Sequence, residues 1–163
     1  MNDNMMHETE LYLQEVFNTL LEHEVRRVRR YKQSLSLIHI ALHPDPDTPQ
    51  TQQAAEMVAI NILDVELRDT DIPCRNGHEF LVLLPETDES GGRNACKRLE
   101  QLLNTSDQTE DGIAFQVSAF IGLASIADEL TASSANLLGA ACKAMEHARV
   151  THSRSTVVFS DLK

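Results

Sequence analysis

The chain has 163 residues, 42% of them hydrophobic and 24% charged, the size and composition of one globular domain that buries a core without disulfides or metal. Its 25 acidic and 14 basic residues leave a net charge of −11, which repels a phosphate backbone and argues against general nucleic-acid binding. No run approaches the roughly 18 apolar residues of a membrane helix. The three cysteines, Cys74, Cys96 and Cys142, form no CxxC pair. That argues against a zinc ribbon or a thioredoxin-like motif and points to buried, reduced thiols. There is no Trp, so aromatic platforms for single strands are not expected. The polar, acidic stretch Met1 to Glu10 lacks the character of a signal peptide. It reads as a flexible lead-in to a single cytoplasmic domain over 1–163.

The first element is a helix. Leu13, Val16, Phe17, Leu20, Leu21, Val25, Val28 and Tyr31 recur at three- and four-residue steps. Acidic residues lie early in it, and Arg26, Arg27, Arg29 and Arg30 lie late, complementing the helix dipole. The arginines read as a solvated helix end. Leu35 to Leu42 is short and almost wholly apolar, which predicts a buried strand. His43 to Pro49 holds three of the five prolines and reads as a loop. A second helix is expected from about Gln52 to Leu67, with Ala55, Val58, Ala59, Ile62, Leu63 and Val65 inward.

Asp71 to Leu84 reads as a hairpin. Asn76-Gly77 is a preferred type I′ turn pair, because both residues tolerate positive φ. Pro73 marks the outgoing strand as short or at an edge. A helix over about Gly91–Leu103, a strand over about Ala114–Ala124, a helix over about Ser133–Val150 and a strand over Thr156–Phe159 complete the chain. The order α, β-α-β-β-α-β, α-β predicts an α+β fold. Its expected form is an antiparallel central sheet flanked by helices, of the split βαβ, ferredoxin-like or palm type, with an extra N-terminal helix.

Asn76-Gly77-His78-Glu79-Phe80, followed by Leu81-Val82-Leu83-Leu84-Pro85-Glu86-Thr87, resembles the GGDEF signature and its tail. GGDEF domains are diguanylate cyclases and their degenerate relatives. Leu35 to Ile40 is similar to the family's first core strand. Val117 to Ala124 is similar to its strand ending in SIGVA, and Leu137-Leu138 through Arg149 to its last helix. The resemblance implies a site for bacterial second-messenger chemistry. In that chemistry a 3′-hydroxyl attacks an α-phosphorus, and divalent metal on carboxylates bridges the phosphates.

The ligand positions that the resemblance implies are altered here. The strand-end carboxylate falls at Ala41, the next family aspartate at His43, and the third signature residue at His78. Imidazole is a poor ligand for magnesium. The first signature glycine is Asn76, while Glu79 keeps its place. The guanine-recognising FK..ND stretch is replaced by Pro44 to Pro49. The phosphate-contacting lysine is Arg149, and the second basic contact falls at Ser153, beside Arg154. The LTGL.NR motif is missing. The expectation is therefore no catalytic residues, no cofactor and no metal site, although His43 and His78 lie where two imidazoles could meet zinc or nickel. His39 is expected as a hydrogen-bonded histidine within the sheet.

Arg68-Asp69-Thr70-Asp71 fits the RxxD motif, which in this family binds cyclic di-GMP. Arginine can donate twice to guanine O6 and N7, and aspartate can accept from guanine N1 and N2. The spacer Ile72 to Arg75 is one residue shorter than the family's five, and a one-residue slip in a strand reverses its faces. The alternative is that Arg68 caps the second helix and Asp71 starts a turn. Two roles follow from the resemblance, ahead of an active diguanylate cyclase. One is a catalytically inactive cyclic di-GMP receptor using Arg68 and Asp71. The other is a nucleotide-free interaction or dimerisation module that docks a protein partner or a second copy through the N-terminal helix. Neither involves nucleic acid or membrane. About ten residues precede that helix, so no sensor is expected within them.

Overall fold

Alternating burial along one strand organises the molecule. In the computed structural model, which describes residues 11–104, 108–110, 112–127 and 132–162, strand β1 (Ser34–Asp45) runs through the middle of the sheet. Leu35 and Leu37 point to one face, Ile38 and Ile40 to the other, and all four are buried. That is the period-two signature of a strand covered on both sides. The elements in chain order are α1 (Gln14–Tyr31), β1, α2 (Pro49–Glu66), β2 (Ile72–Asn76), β3 (Glu79–Pro85), α3 (Glu89–Leu103), β4 (Gln108–Glu110), β5 (Ile113–Ala127), α4 (Ser134–Val150), β6 (Val157–Val158) and a closing 3₁₀ turn, Phe159–Leu162. The expected lead-in, residues 1–10, lies outside the described residues.

The sheet order is β2-β3-β1-β5-β4. These strands are antiparallel, as expected, but β6 joins β5 in parallel, so the sheet is mixed. Helices α2 and α3 cover one face, packing Ile60, Leu63, Cys96 and Leu99 on Ile38, Ile40 and Val82. Helices α1 and α4 cover the other, packing Phe17, Leu21, Val25 and Leu137 on Leu35, Leu37 and Leu83.

Local chemistry sets the helix ends. The Thr48 hydroxyl accepts from Thr51 N–H while the Thr51 side chain accepts from Thr48 N–H, and Pro49 begins α2. This capping box starts the helix three residues before the expected Gln52. Asp88 and Ser133 cap α3 and α4 through Gly91 N–H and Asn136 N–H. α1 ends on Lys32 in the left-handed conformation, φ 56°.

Several expectations are corrected. β1 continues through His43, Pro44 and Asp45, because β5 extends alongside and pairs with them. The expected loop is therefore confined to its end. The hairpin turn is Gly77-His78, not Asn76-Gly77. Asn76 pairs with Glu79, and of the four only Gly77 has positive φ, at 64°. A glycine alone at the first central position is the type II′ pattern. The short strand β4 has no counterpart among the expected elements. Leu13, Val16, Tyr31 and Val65 are exposed, and α1 buries only Phe17, Leu21, Val25 and Val28. Cys74 and Cys96 are buried as expected, and Cys142 is half-buried. Burial pushes the Cys96 thiol up to about 12. β2 is an edge strand, as Pro73 implies. Tyr12 N–H donates to the Pro73 carbonyl at 2.9 Å, forming a one-residue parallel bridge outside β2. Among the described residues no helix is long and apolar enough to cross a membrane.

Gly122 of β5 sits directly under α4. A Cβ there would fall well inside contact distance of Met145 N and Ala141 O, both backbone atoms. Backbone cannot swing aside as a side chain can. Gly122→Ala is expected to destabilise the fold by about 3 kcal/mol or more, read as a lowered thermal midpoint by circular dichroism.

Candidate functional site

Two sites follow from this layout. The larger is an open cleft of about 1160 Å³ at the end of the sheet where β1, β3 and β5 meet the start of α2 and the end of α4. Ala41 and His43 come from β1, Glu56 from α2, His78 and Glu79 from the β2–β3 hairpin, and Arg149 from the end of α4. Ala41, Glu79 and Phe120 stand side by side across three strands. The three positions where the resemblance sets a carboxylate, Ala41, His43 and His78, thus border one cavity.

Of the carboxylates that reach the cleft, Glu56 and Glu79 are engaged by neighbours, and Asp47 is exposed. Glu79 Oε1 accepts from His39 Nε2 at 2.7 Å. His39 is 5% exposed, and its Nδ1 has no partner, so the reading of a hydrogen-bonded sheet histidine holds for one nitrogen only. Glu56 is 2% exposed. Its Oε1 accepts from Arg75 Nη2 and, at 3.2 Å, from His78 Nδ1. Arg75 also donates from Nε to the Gly77 carbonyl at 3.2 Å. The third signature residue thus contacts a helix carboxylate while its side chain stays 78% exposed at the cleft. On the basic side, Arg149 pairs with Glu146, which raises the guanidinium pKa. Arg154 Nη2 donates to Ser118 Oγ at 3.2 Å. Among the described residues no three His, Cys, Asp or Glu side chains are grouped to hold a metal ion.

Glu56 and Arg75 were not singled out from the sequence. A signal existed: Glu56 follows Ala55 and lies three residues before Ala59, on the inward side of α2. A carboxylate at such a position must find a cation or strong donors.

The second site surrounds Arg68 and Asp71. The chain leaves α2 through a turn in which Asp71 N–H donates to the Arg68 carbonyl at 3.0 Å. The Asp71 carboxylate answers: Oδ2 accepts from Arg68 N–H at 2.8 Å, and Oδ1 accepts from Arg68 Nη2 at 2.8 Å and Nε at 3.2 Å. Asp71 is 6% exposed, whereas the Arg68 side chain is 55% exposed. Arg68 Nη2 also donates to Thr87 Oγ1 at 2.7 Å. The bond to Asp71 raises the Arg68 pKa. The shortened spacer therefore leaves the two side chains in contact. Arg68 does not cap α2, whose last turn is closed by Leu67 N–H on the Leu63 carbonyl, and Asp71 closes a turn instead of starting one. Arg68, Asp71, Thr87, Asn94 and Arg98 line one pocket of about 270 Å³.

Residues 52–155 match the family model described as "Diguanylate cyclase, GGDEF domain"; the chain belongs to the GGDEF domain family. No curated protein matches it. Similar solved structures include the diguanylate cyclase SiaD from Pseudomonas aeruginosa in complex with its activator SiaC. It has a TM-score of 0.81 at 21% identity, over 91% of this chain and 58% of that one. The chain thus spans little more than half of SiaD. The GGDEF domain of DgcB from Caulobacter crescentus in complex with c-di-GMP has a TM-score of 0.78 at 14% identity, over 92% of both chains. The GGDEF domain of YfiN from Pseudomonas aeruginosa has a TM-score of 0.75 at 23% identity, over 91% of this chain and 96% of that one.

Removing the Asp71 carboxylate leaves the Arg68 backbone N–H without its acceptor and the guanidinium with Thr87 Oγ1 and the Pro85 carbonyl only. Asp71→Ala is expected to cost roughly 2 kcal/mol of stability, measured by urea unfolding. Arg68→Ala, which leaves the backbone bond in place, is expected to cost less than half as much.

Proposed function

We propose that this chain is a GGDEF domain that recognises cyclic di-GMP instead of synthesising it. The observation that carries the reading is that Arg68 and Asp71 stand together on the rim of one open pocket, with Arg98 among its walls. A guanine edge offers O6 and N7 to the guanidinium, and N1–H and N2–H to the carboxylate. Binding exchanges the Arg68–Asp71 pair for bonds to the base, so each polar group keeps a partner. Arg98 supplies a cation for a phosphate oxygen. The DgcB domain, structurally similar to this chain, was solved with the same ligand.

The inactivity belongs to the same reading. A cyclase needs metal to bridge phosphates and to lower the pKa of the attacking hydroxyl. Ala41 offers no ligand, and His78 offers an imidazole already directed at Glu56. Glu79 is shared with His39.

A nucleotide-free interaction module is the second reading. It is favoured by one observation: Arg68 already engages both Asp71 oxygens.

Calorimetric titration distinguishes the two. Cyclic di-GMP is expected to bind with micromolar or tighter affinity, and Arg68→Ala to weaken it at least about tenfold, the loss of one charged bidentate contact. GTP with magnesium is expected to release no pyrophosphate. The absence of heat with cyclic di-GMP would leave the interaction module, and pyrophosphate release would overturn the inactive assignment.

A further inference from the structure

Two protein side chains hold the Arg68 guanidinium. Nη2 donates to Asp71 Oδ1 at 2.8 Å and to Thr87 Oγ1 at 2.7 Å, which engages both of its hydrogens. The Pro85 carbonyl is a longer contact of the same nitrogen, at 3.4 Å. Nε is directed at Asp71, and Nη1 makes no hydrogen bond among the described residues. Nη1 is the donor left for a ligand.

Thr87 is itself held in place. It is 8% exposed. Ser36 Oγ, on the central strand β1, donates to the Thr87 carbonyl at 2.9 Å. The Thr87 methyl lies against Gly91 of α3, so closely that a Cβ on that glycine would stand 3.0 Å from it. With backbone and methyl fixed, a β-branched side chain has its hydroxyl fixed too. That hydroxyl gives its hydrogen to the Pro85 carbonyl at 2.9 Å. Toward Arg68 it presents a lone pair, the group a guanidinium needs, since a guanidinium only donates. The hydrogen and one lone pair are thus committed within the protein. Thr87 is placed to hold the arginine, not to read a base.

Resting on the cyclic di-GMP reading of this pocket, we infer that Thr87 is the positioning residue for the ligand-binding arginine. Its hydroxyl keeps the Arg68 guanidinium in the pocket while Asp71 turns to the guanine edge. When the Arg68–Asp71 pair is exchanged for bonds to the base, Thr87 Oγ1 is the one close acceptor that the guanidinium keeps within the protein. The Arg68 side chain is 55% exposed, so without that acceptor it swings into solvent when the ligand takes Asp71. A side chain ordered before binding spares the ligand the cost of ordering it.

Calorimetric titration of cyclic di-GMP into the intact chain and its variants tests this role. Thr87→Val keeps the shape and removes the hydroxyl, and Thr87→Ala reads the same loss should the valine variant not fold. Thr87→Ser keeps the hydroxyl. Thr87→Val is expected to weaken binding about tenfold, the loss of one hydrogen bond to a charged group, and Thr87→Ser by less than about threefold. Because Thr87 acts through Arg68, adding Thr87→Val to Arg68→Ala is expected to change affinity by less than about twofold. A residue that only supports the fold would weaken binding equally in both backgrounds, and that result overturns the role. So does a Thr87→Ser variant as weak as Thr87→Val. A wild type that binds, with Thr87→Val unchanged, overturns this inference alone. A wild type that does not bind cyclic di-GMP overturns the ligand reading and the inference with it.

Discussion

The close approach of α4 to β5 at Gly122 sets the geometry of the cleft and of the helix layer beside it. A helix lying with its backbone on a strand requires the strand residue beneath it to carry no side chain, and Gly122 meets the backbone of Ala141, Ala144 and Met145. The helix contributes small residues to the same contact: Ala141, Ala144 and Ala148 are all fully buried. Met145 and Ala148 then rest on Ala41 and Phe120. The next residue, Arg149, emerges at the cleft mouth. Packing thus positions the basic side of the cleft, and the β1–β3 register positions the other side by setting Glu79 beside Ala41.

Within that frame most of the charges bordering the cleft have found protein partners. Glu56 holds Arg75 and His78, Glu79 holds His39, and Glu146 holds Arg149. Each pairing satisfies a group that open carboxylate or phosphate chemistry would otherwise leave available. A buried carboxylate such as Glu56 is costly alone and tolerable with two donors. The Arg75 and His78 contacts therefore also hold the β2–β3 turn against α2. The structural outcome is a hairpin braced on α2 by Arg75 and His78.

Much of this was legible in the sequence, and the failures have physical causes. β1, β3, α3 and α4 were readable because their apolar periods are strong and tertiary packing agrees with them. The hairpin was readable from Gly77, but its register slipped by one, because an Asn-Gly pair suits two turn types and the partner strand decides between them. β1 was underestimated at His43 to Asp45, since proline argues against a strand and only the long partner β5 shows that the pairing continues. β4 has three residues and too little pattern to be seen. In the candidate sites, Ala41 and His78 were visible as the residues at positions where the resemblance sets a carboxylate. The Glu56–Arg75–His78 cluster was not, because it joins a helix to a hairpin across 22 positions of sequence. The pairing of Arg68 with Asp71 also needed the structure: the motif supplies both residues, but not whether they face a ligand or each other.

The one-residue bridge between Tyr12 and Cys74 matters for how this sheet behaves in a crowded solution. An open edge strand is a template for another chain's backbone and so a route to aggregation. At the β2 edge, Pro73 has no N–H to offer, and its carbonyl already accepts from Tyr12. At the opposite side β5 is flanked by the short β4 and by β6. The described residues therefore leave only short stretches of sheet edge open to a stranger. Strand addition at this point of the β2 edge is thereby hindered, which favours contacts through helix faces and side chains, where charge and shape can choose the partner.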